Sequence, residues 1–321
     1  MKFASVLVSA ALLCAQGAMA GVDVLRPDHK SVRPESKFWG ATSSTAQPRH
    51  VPESLKTYQQ LAVMAQGSNC IDSKVNETLG DATLLYQWGD DDKNQRMHVY
   101  HSKSMGITFS WAGMNTSSIS SLLSSADLFL VDADPEIFGF LAPGTKVYQG
   151  FQAAYKRVAP IVEKKVKEYT HKYNDTRVSF TGLSFGAALS TFGALHMNHV
   201  MKDAKLHKVV VMGLPRIGNP TWANEVDKYL KGTFYYTVNG DDLVSRVPPR
   251  ELGYQQPSGQ IYINPANSSS WKFYPGQENV HGSDSQWGFS IQDHTGVYYN
   301  VPVGGVFGPC PPQVPKALEN N

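Results

Sequence analysis

The chain has 321 residues, 41% of them hydrophobic and 17% charged, a balance that excludes a disordered polymer. Lys and Arg total 29 against 27 Asp and Glu, and a formal net charge of +2 supplies no basic field for a nucleic-acid partner and no polybasic tail for a membrane surface. The length is ample for one large domain with a substantial core.

In chain order, Lys2, the apolar run from Phe3 to Ala15 and the small residues Ala18-Met19-Ala20 read as a cleaved signal peptide over residues 1–20. The run is too short for a membrane anchor, and no later stretch is long and apolar enough to be a transmembrane segment, so a secreted, extracellular protein is expected. Cys14 leaves with the signal. Cys70 and Cys310 remain, and two thiols in an oxidising compartment are expected to form a disulfide. Residues 21–52, polar and rich in Ser, Thr and Pro, read as an extended N-terminal segment, and residues 53–321 as a single domain.

After Ser54, the residues Leu55, Tyr58, Leu61, Ala62 and Ala65 recur at helical spacing. Residues 98–100 and 106–111 read as neighbouring strands. Over 150–173, Phe151, Ala154, Tyr155, Val158, Val162, Val166 and Tyr169 recur every three or four residues between lysines, which predicts an amphipathic helix. The period then changes: 177–181 is a short β run, 182–186 a tight turn, and 187–200 helical again. Residues 208–212 and 233–238 are further strands. This alternation predicts an α/β fold whose central sheet is mostly parallel and flanked by helices.

The turn reads Gly182-Leu183-Ser184-Phe185-Gly186, a G-x-S-x-G sequence between a strand and a helix. So sharp a bend leaves room only for small neighbours and lifts the serine hydroxyl to the sheet edge, where the Phe185 N–H at the helix start can meet developing negative charge. A serine nucleophile needs a base, and the base an orienting acid. Downstream, Asp241 and Asp242 follow a strand, and only His281 and His294 come later; chain order permits any of the four pairings. The pairs His98-x-x-His101 and His196-x-x-His199 lack the glutamate of a zincin helix, so no metal and no cofactor are expected.

Four stretches agree in order with the fungal class 3 lipases: residues 147–151, the elbow, Gly213-Leu214-Pro215-Arg216-Ile217-Gly218-Asn219, and the segment 242–249 with Asp293-His294. From about Tyr58 to Tyr299 the chain resembles this family, and more loosely its Malassezia-like mono- and diacylglycerol lipase group. The resemblance implies an α/β-hydrolase fold with a short helical lid and a serine carboxylic-ester hydrolase that releases fatty acids from acylglycerols at a lipid-water interface. It implies Ser184, Asp242 and His294 as the catalytic triad and the Met114 N–H as the second oxyanion donor beside Phe185. It places the lid around Thr116, Ile119, Leu122 and Leu123.

Three positions depart from the family pattern: Met114 stands where a Ser or Thr is usual, Leu183 where a His precedes the nucleophile, and Phe185 where a Leu follows it. Two other readings stand beside the lipase one: a feruloyl-type esterase with the same triad acting on soluble esters, the choice resting on the lid, and a catalytically silent lipid-binding homologue, motivated by Met114 and Leu183. The sequons at Asn76, Asn174 and Asn267 are expected glycosylation sites in an exported chain.

Overall fold

The structure, a computed structural model, describes residues 43–91, 93–114, 128–286, 288–304 and 308–319. The signal peptide, most of segment 21–52 and the lid positions Thr116, Ile119, Leu122 and Leu123 lie outside the described residues. The first helix among the described residues is α1 (Leu55–Asn69), started by the Ser54 side chain accepting from Thr57 N. Strands β1 (Thr78–Leu79), β2 (Ala82–Trp88), β3 (Met97–Ser102), β4 (Gly106–Trp111) and β5 (Leu130–Asp132) follow, then α2 (Pro135–Phe138) and β6 (Lys146–Tyr148). Next come α3 (Gln149–Tyr173), β7 (Arg177–Leu183), α4 (Phe185–Val200), β8 (Lys205–Met212), α5 (Pro220–Tyr229) and β9 (Phe234–Asn239). The described chain ends with β10 (Gln260–Ile263), β11 (Trp271–Tyr274), β12 (Val297–Tyr298), β13 (Val301–Pro302) and α6 (Lys316–Glu319).

Nine strands form one sheet in the order β1-β2-β3-β4-β7-β8-β9-β10-β11. Strands β4, β7, β8, β9 and β10 pair parallel with one another in that order. Strands β1 to β4 pair antiparallel, as does β11 with β10. The sheet is therefore mixed: the parallel order expected from sequence holds for its centre, where helices make the crossovers, while short loops join the antiparallel flanks.

Period-2 alternation divides the side chains of this sheet between two cores. On β8, Val209 and Val211 join Phe180, Phe192 and Tyr155 under α3 and α4. Val210 and Met212 face the other way and join Leu61, Met64 and Ala65 of α1, with Ile261 and Ile263 of β10. Burial on both faces explains why the second half of β8, Val209 to Met212, reads as a continuous apolar run rather than an alternating one. Strand β7 lies between the two cores, giving Val178 and Phe180 to one and Leu183 to the other, and its carboxyl end delivers the elbow.

Candidate active site

Ser184 is the single residue between β7 and α4, with φ 60° and ψ −123°. Such a backbone costs a non-glycine residue roughly 1–3 kcal/mol and persists only where its surroundings over-determine it. They do so here. Ser184 N donates to Met212 O at 2.9 Å, and Ser184 O accepts from Ala187 N and Ala188 N at 2.9 and 3.2 Å. A Cβ on Gly182 would stand 2.7 Å from Gly186 O and 2.9 Å from Trp111 O, so the bend closes only on glycine. The helix therefore starts at Phe185, two residues before the sequence expectation, and the serine itself is its N-terminal flanking residue.

Asp242 follows the end of β9. Its Oδ1 accepts from Val244 N at 2.8 Å, and its Oδ2 from Ser245 Oγ at 2.9 Å and His294 Nδ1 at 3.0 Å. Neither Asp242 nor His294 is solvent-exposed. A carboxylate only accepts, so Nδ1 carries the proton and Nε2 is left with a lone pair. Nε2 is buried and has no hydrogen-bond partner among the described residues. The histidine loop is tied to the aspartate loop at two further points: Asn239 Nδ2 donates to Asp293 O, and Asp241 N donates to Asp293 Oδ2, each at 2.8 Å. Tyr298 OH donates to His294 O at 2.9 Å.

The link from this pair to the serine runs through Gly213. Its φ is +57°, and a Cβ there would lie 2.5 Å from His294 Cε1 and 2.6 Å from Nδ1, so the imidazole packs directly on this backbone. The preceding residue, Met212, holds Ser184 N. Ring and elbow are thus fixed to adjacent residues of one strand end. Asp241 and His281 go elsewhere: Asp241 lies 3.5 Å from Arg246, and His281 Nε2 is 3.3 Å from Gln47 Nε2.

Above the elbow is a cleft lined by Leu128, Phe151, Phe185, Val247 and Pro248, with Met114 and Ser184 in its wall. Apart from Ser184 and the Tyr148 hydroxyl, the side chains lining it are apolar. Because Trp111 of β4 pairs with Gly182 of β7, residues 112–114 run beside 183–185 and bring Met114 next to the elbow.

A family model described as Lipase (class 3) matches residues 108–252. The chain is 54% identical over 287 residues to a secreted mono- and diacylglycerol lipase of Malassezia globosa, a match covering 89% of this chain and 92% of the relative. The chain belongs to the class 3 lipase family. Among solved structures, the Lip2 lipase of Yarrowia lipolytica shares the fold at 21% identity and a TM-score of 0.71, covering 83% of this chain and 99% of that one. A triacylglycerol lipase whose catalytic centre is formed by a serine protease triad matches at 25% identity and a TM-score of 0.64, covering 78% of this chain and 95% of the other. The central sheet with its flanking helices is thus the α/β-hydrolase arrangement of the class 3 lipases.

The class 3 segment that starts at Gly213 has structural duties besides the contact with His294. Asn219 Oδ1 caps α5 through Trp222 N at 3.0 Å and accepts from Lys146 N at 3.1 Å. Arg216, buried, donates to both Glu278 oxygens at 2.7 and 3.0 Å and to Asp284 at 3.0 Å. Its Nη1 donates to the carbonyls of Arg246 and Pro248, which fastens the Val247-Pro248 wall of the cleft. Burial pushes Glu278 up to about 7 despite the attraction of Arg216. For Asp284 burial is the largest single influence and also opposes the charge, but Arg216, the hydrogen bond with Glu278, and the charges of Arg246 and Arg250 together outweigh it and take the group down to about 2. Sequence reasoning gave no role to Glu278, Asp284, Ser245 or Tyr298, because lone polar residues outside long helices and strands carry no periodicity. Gly213 alone had a local signal, the glycine that opens the family segment.

The remaining sequence expectations fall away from the cleft. Cys70 and Cys310 form a disulfide, with Cα atoms 5.5 Å apart, that joins the end of α1 to the C-terminal tail. Asn76, Asn174 and Asn267 are exposed. His98 is buried against Tyr100 and Gln87, and His196 against Tyr155. No helix among the described residues is long and apolar enough to cross a membrane.

Proposed function

We propose that this class 3 lipase is a secreted carboxylic-ester hydrolase that releases fatty acids from mono- and diacylglycerols, with Ser184 as nucleophile, His294 as general base and Asp242 as its orienting acid. The observation that carries the reading is the buried Asp242–His294 pair packed on Gly213, one residue from the carbonyl that holds the strained Ser184. His294 Nε2 takes the proton from Ser184 Oγ as the oxygen attacks the ester carbonyl. The tetrahedral oxyanion is met by the N–H groups of Phe185 and Met114. Collapse expels the glycerol hydroxyl, which receives its proton from His294, and water then releases the fatty acid from the acyl-serine by the same steps in reverse. An apolar cleft suits an acyl chain, which has no polar group beyond the ester to satisfy.

Secretion and the preference for mono- and diacylglycerols are supported by the close Malassezia relative. The test is a hydrolysis panel of emulsified monoolein, diolein and triolein beside a soluble feruloyl ester, with wild type and Ser184→Ala. Oleate should be released from mono- and diolein in preference to triolein, with a loss of at least about 10⁴-fold in the variant. Ferulate release without oleate release, or retained activity in Ser184→Ala, would overturn the proposal.

A further inference from the structure

Met114 poses a problem that its surroundings solve. Its side chain cannot supply the hydroxyl hydrogen bond that Ser or Thr gives this position in the family, so the direction of its N–H must be set by something else. That N–H belongs to the same planar amide as the Gly113 carbonyl, and in a trans amide the two point in opposite directions. Whatever fixes the carbonyl therefore fixes the donor.

Gln95 Nε2 donates to Gly113 O at 2.8 Å and to Ala112 O at 2.7 Å. Gly113 N donates to Asn69 Oδ1 at 2.9 Å, and Ala112 N donates to Arg96 O at 3.0 Å. Every polar backbone group of Ala112 and Gly113 is thus engaged, two of them by one glutamine and one by an asparagine. Asn69 is itself held, because its Nδ2 donates to Ala65 O at 2.9 Å and the next residue, Cys70, is covalently bound to Cys310. A Cβ on Gly113 would lie 3.3 Å from Leu183 O, so the clamped stretch rests on the strand end that delivers Ser184.

We propose that Gln95 and Asn69 are positioning residues for oxyanion stabilisation. They orient the Gly113–Met114 amide so that its N–H faces the reacting carbonyl oxygen, and they replace the hydroxyl missing from position 114. The inference rests on the reading of Met114 N as an oxyanion donor. Because the oxyanion exists only on the way through the tetrahedral state, loosening the clamp weakens transition-state binding and leaves substrate binding alone.

Gln95→Met keeps the length of the side chain and removes both of its bonds, and Asn69→Ala removes the acceptor. With a short-chain p-nitrophenyl ester, after active-site titration, each should lower kcat about 10- to 100-fold with KM within about twofold. Affinity for an alkyl boronic acid, which forms a tetrahedral adduct on the serine, should fall by the same factor as kcat. Should Gln95→Met not fold, Asn69→Ala carries the test through the loss of its bond with Gly113 N. Variants that lose only thermal stability, with kcat and boronate affinity unchanged per titrated site, would overturn the proposal. Met114→Pro removes the N–H itself: if it keeps wild-type kcat, the oxyanion reading of Met114 fails. If Met114→Pro loses activity while Gln95→Met and Asn69→Ala keep it, the donor stands and the positioning role fails.

Discussion

Replacing Gly213 by alanine adds one methyl group at the most crowded point of the site. The new Cβ would stand 2.5 and 2.6 Å from two atoms of the His294 ring, and 3.3 Å from Asp242 Oδ2. Ordinary carbon contacts sit near 3.5 Å, so ring and backbone must part by about 1 Å. The backbone cannot easily give, because Gly213 N donates to Thr237 O at 2.8 Å within the sheet end. The ring must move, and the 3.0 Å bond from Nδ1 to Asp242 lengthens with it. A misplacement of about 1 Å in a reacting group costs about 100-fold in rate. The left-handed φ of +57° adds a stability penalty of about 1–2 kcal/mol for any residue with a Cβ. Gly213→Ala should therefore lose about 100-fold in kcat while its thermal midpoint falls by only a few degrees. The assay is kcat on a short-chain p-nitrophenyl ester beside a calorimetric melt. A folded Gly213→Ala enzyme within threefold of wild type would refute the placement of His294 as the working base.

Two further outcomes follow from the same physics. Cys70 and Cys310 are separated by 240 residues, and releasing a loop that long should cost about 5 kcal/mol in the chain-entropy treatment, read as a drop of about 10 °C or more in the melt of Cys310→Ser. An unchanged midpoint would show that the tail contributes nothing to holding the fold. The pH dependence of stability is set by opposing groups. His98 and His196, pushed down by burial to about 3 and about 4, charge more readily unfolded, so stability is lost as pH falls below 6.5. Glu278, pushed up to about 7 by burial, binds its proton more tightly when folded, so stability is lost as pH rises from 4.5 to 7. Each group contributes a slope of about 1.4 kcal/mol per pH unit within its window, so the two histidines prevail below 6.5 and the carboxyl alone acts just above. Thermal midpoints measured across this range should peak near pH 6.5, and Glu278→Gln should abolish the decline above it. A midpoint rising steadily through pH 8 would contradict the assignment.

Periodicity made the long helix α3 and the parallel strands β7 and β8 legible, since Phe151 to Tyr169 and Val209 to Met212 bury whole faces. It missed β2 and β10. In β2 only Ala82 and Leu84 are fully buried, and β10 is buried at every position, so neither alternates. Both lie in or beside the antiparallel flanks, which is why the sequence read as a mostly parallel sheet. The elbow was legible because its glycines sit where a Cβ would press into facing backbone, as at Gly182, 2.7 Å from Gly186 O. The choices between Asp241 and Asp242, and between His281 and His294, could not be made from chain order; they depend on where two loops meet in space, which the sequence shows only through family resemblance. Gln95 and Asn69 carried no signal, since a side-chain amide that holds a distant backbone looks like any surface amide in a linear chain.

Reaction with diethyl p-nitrophenyl phosphate followed by peptide mass spectrometry tests the central claim most directly. A single diethylphosphoryl group should appear on the peptide containing Ser184, loss of activity should track its appearance mole for mole, and His294→Ala should slow the labelling by orders of magnitude. Inactivation with the phosphoryl group on another residue, or a wild-type labelling rate in His294→Ala, would contradict the assignment of this serine and this imidazole as one catalytic unit.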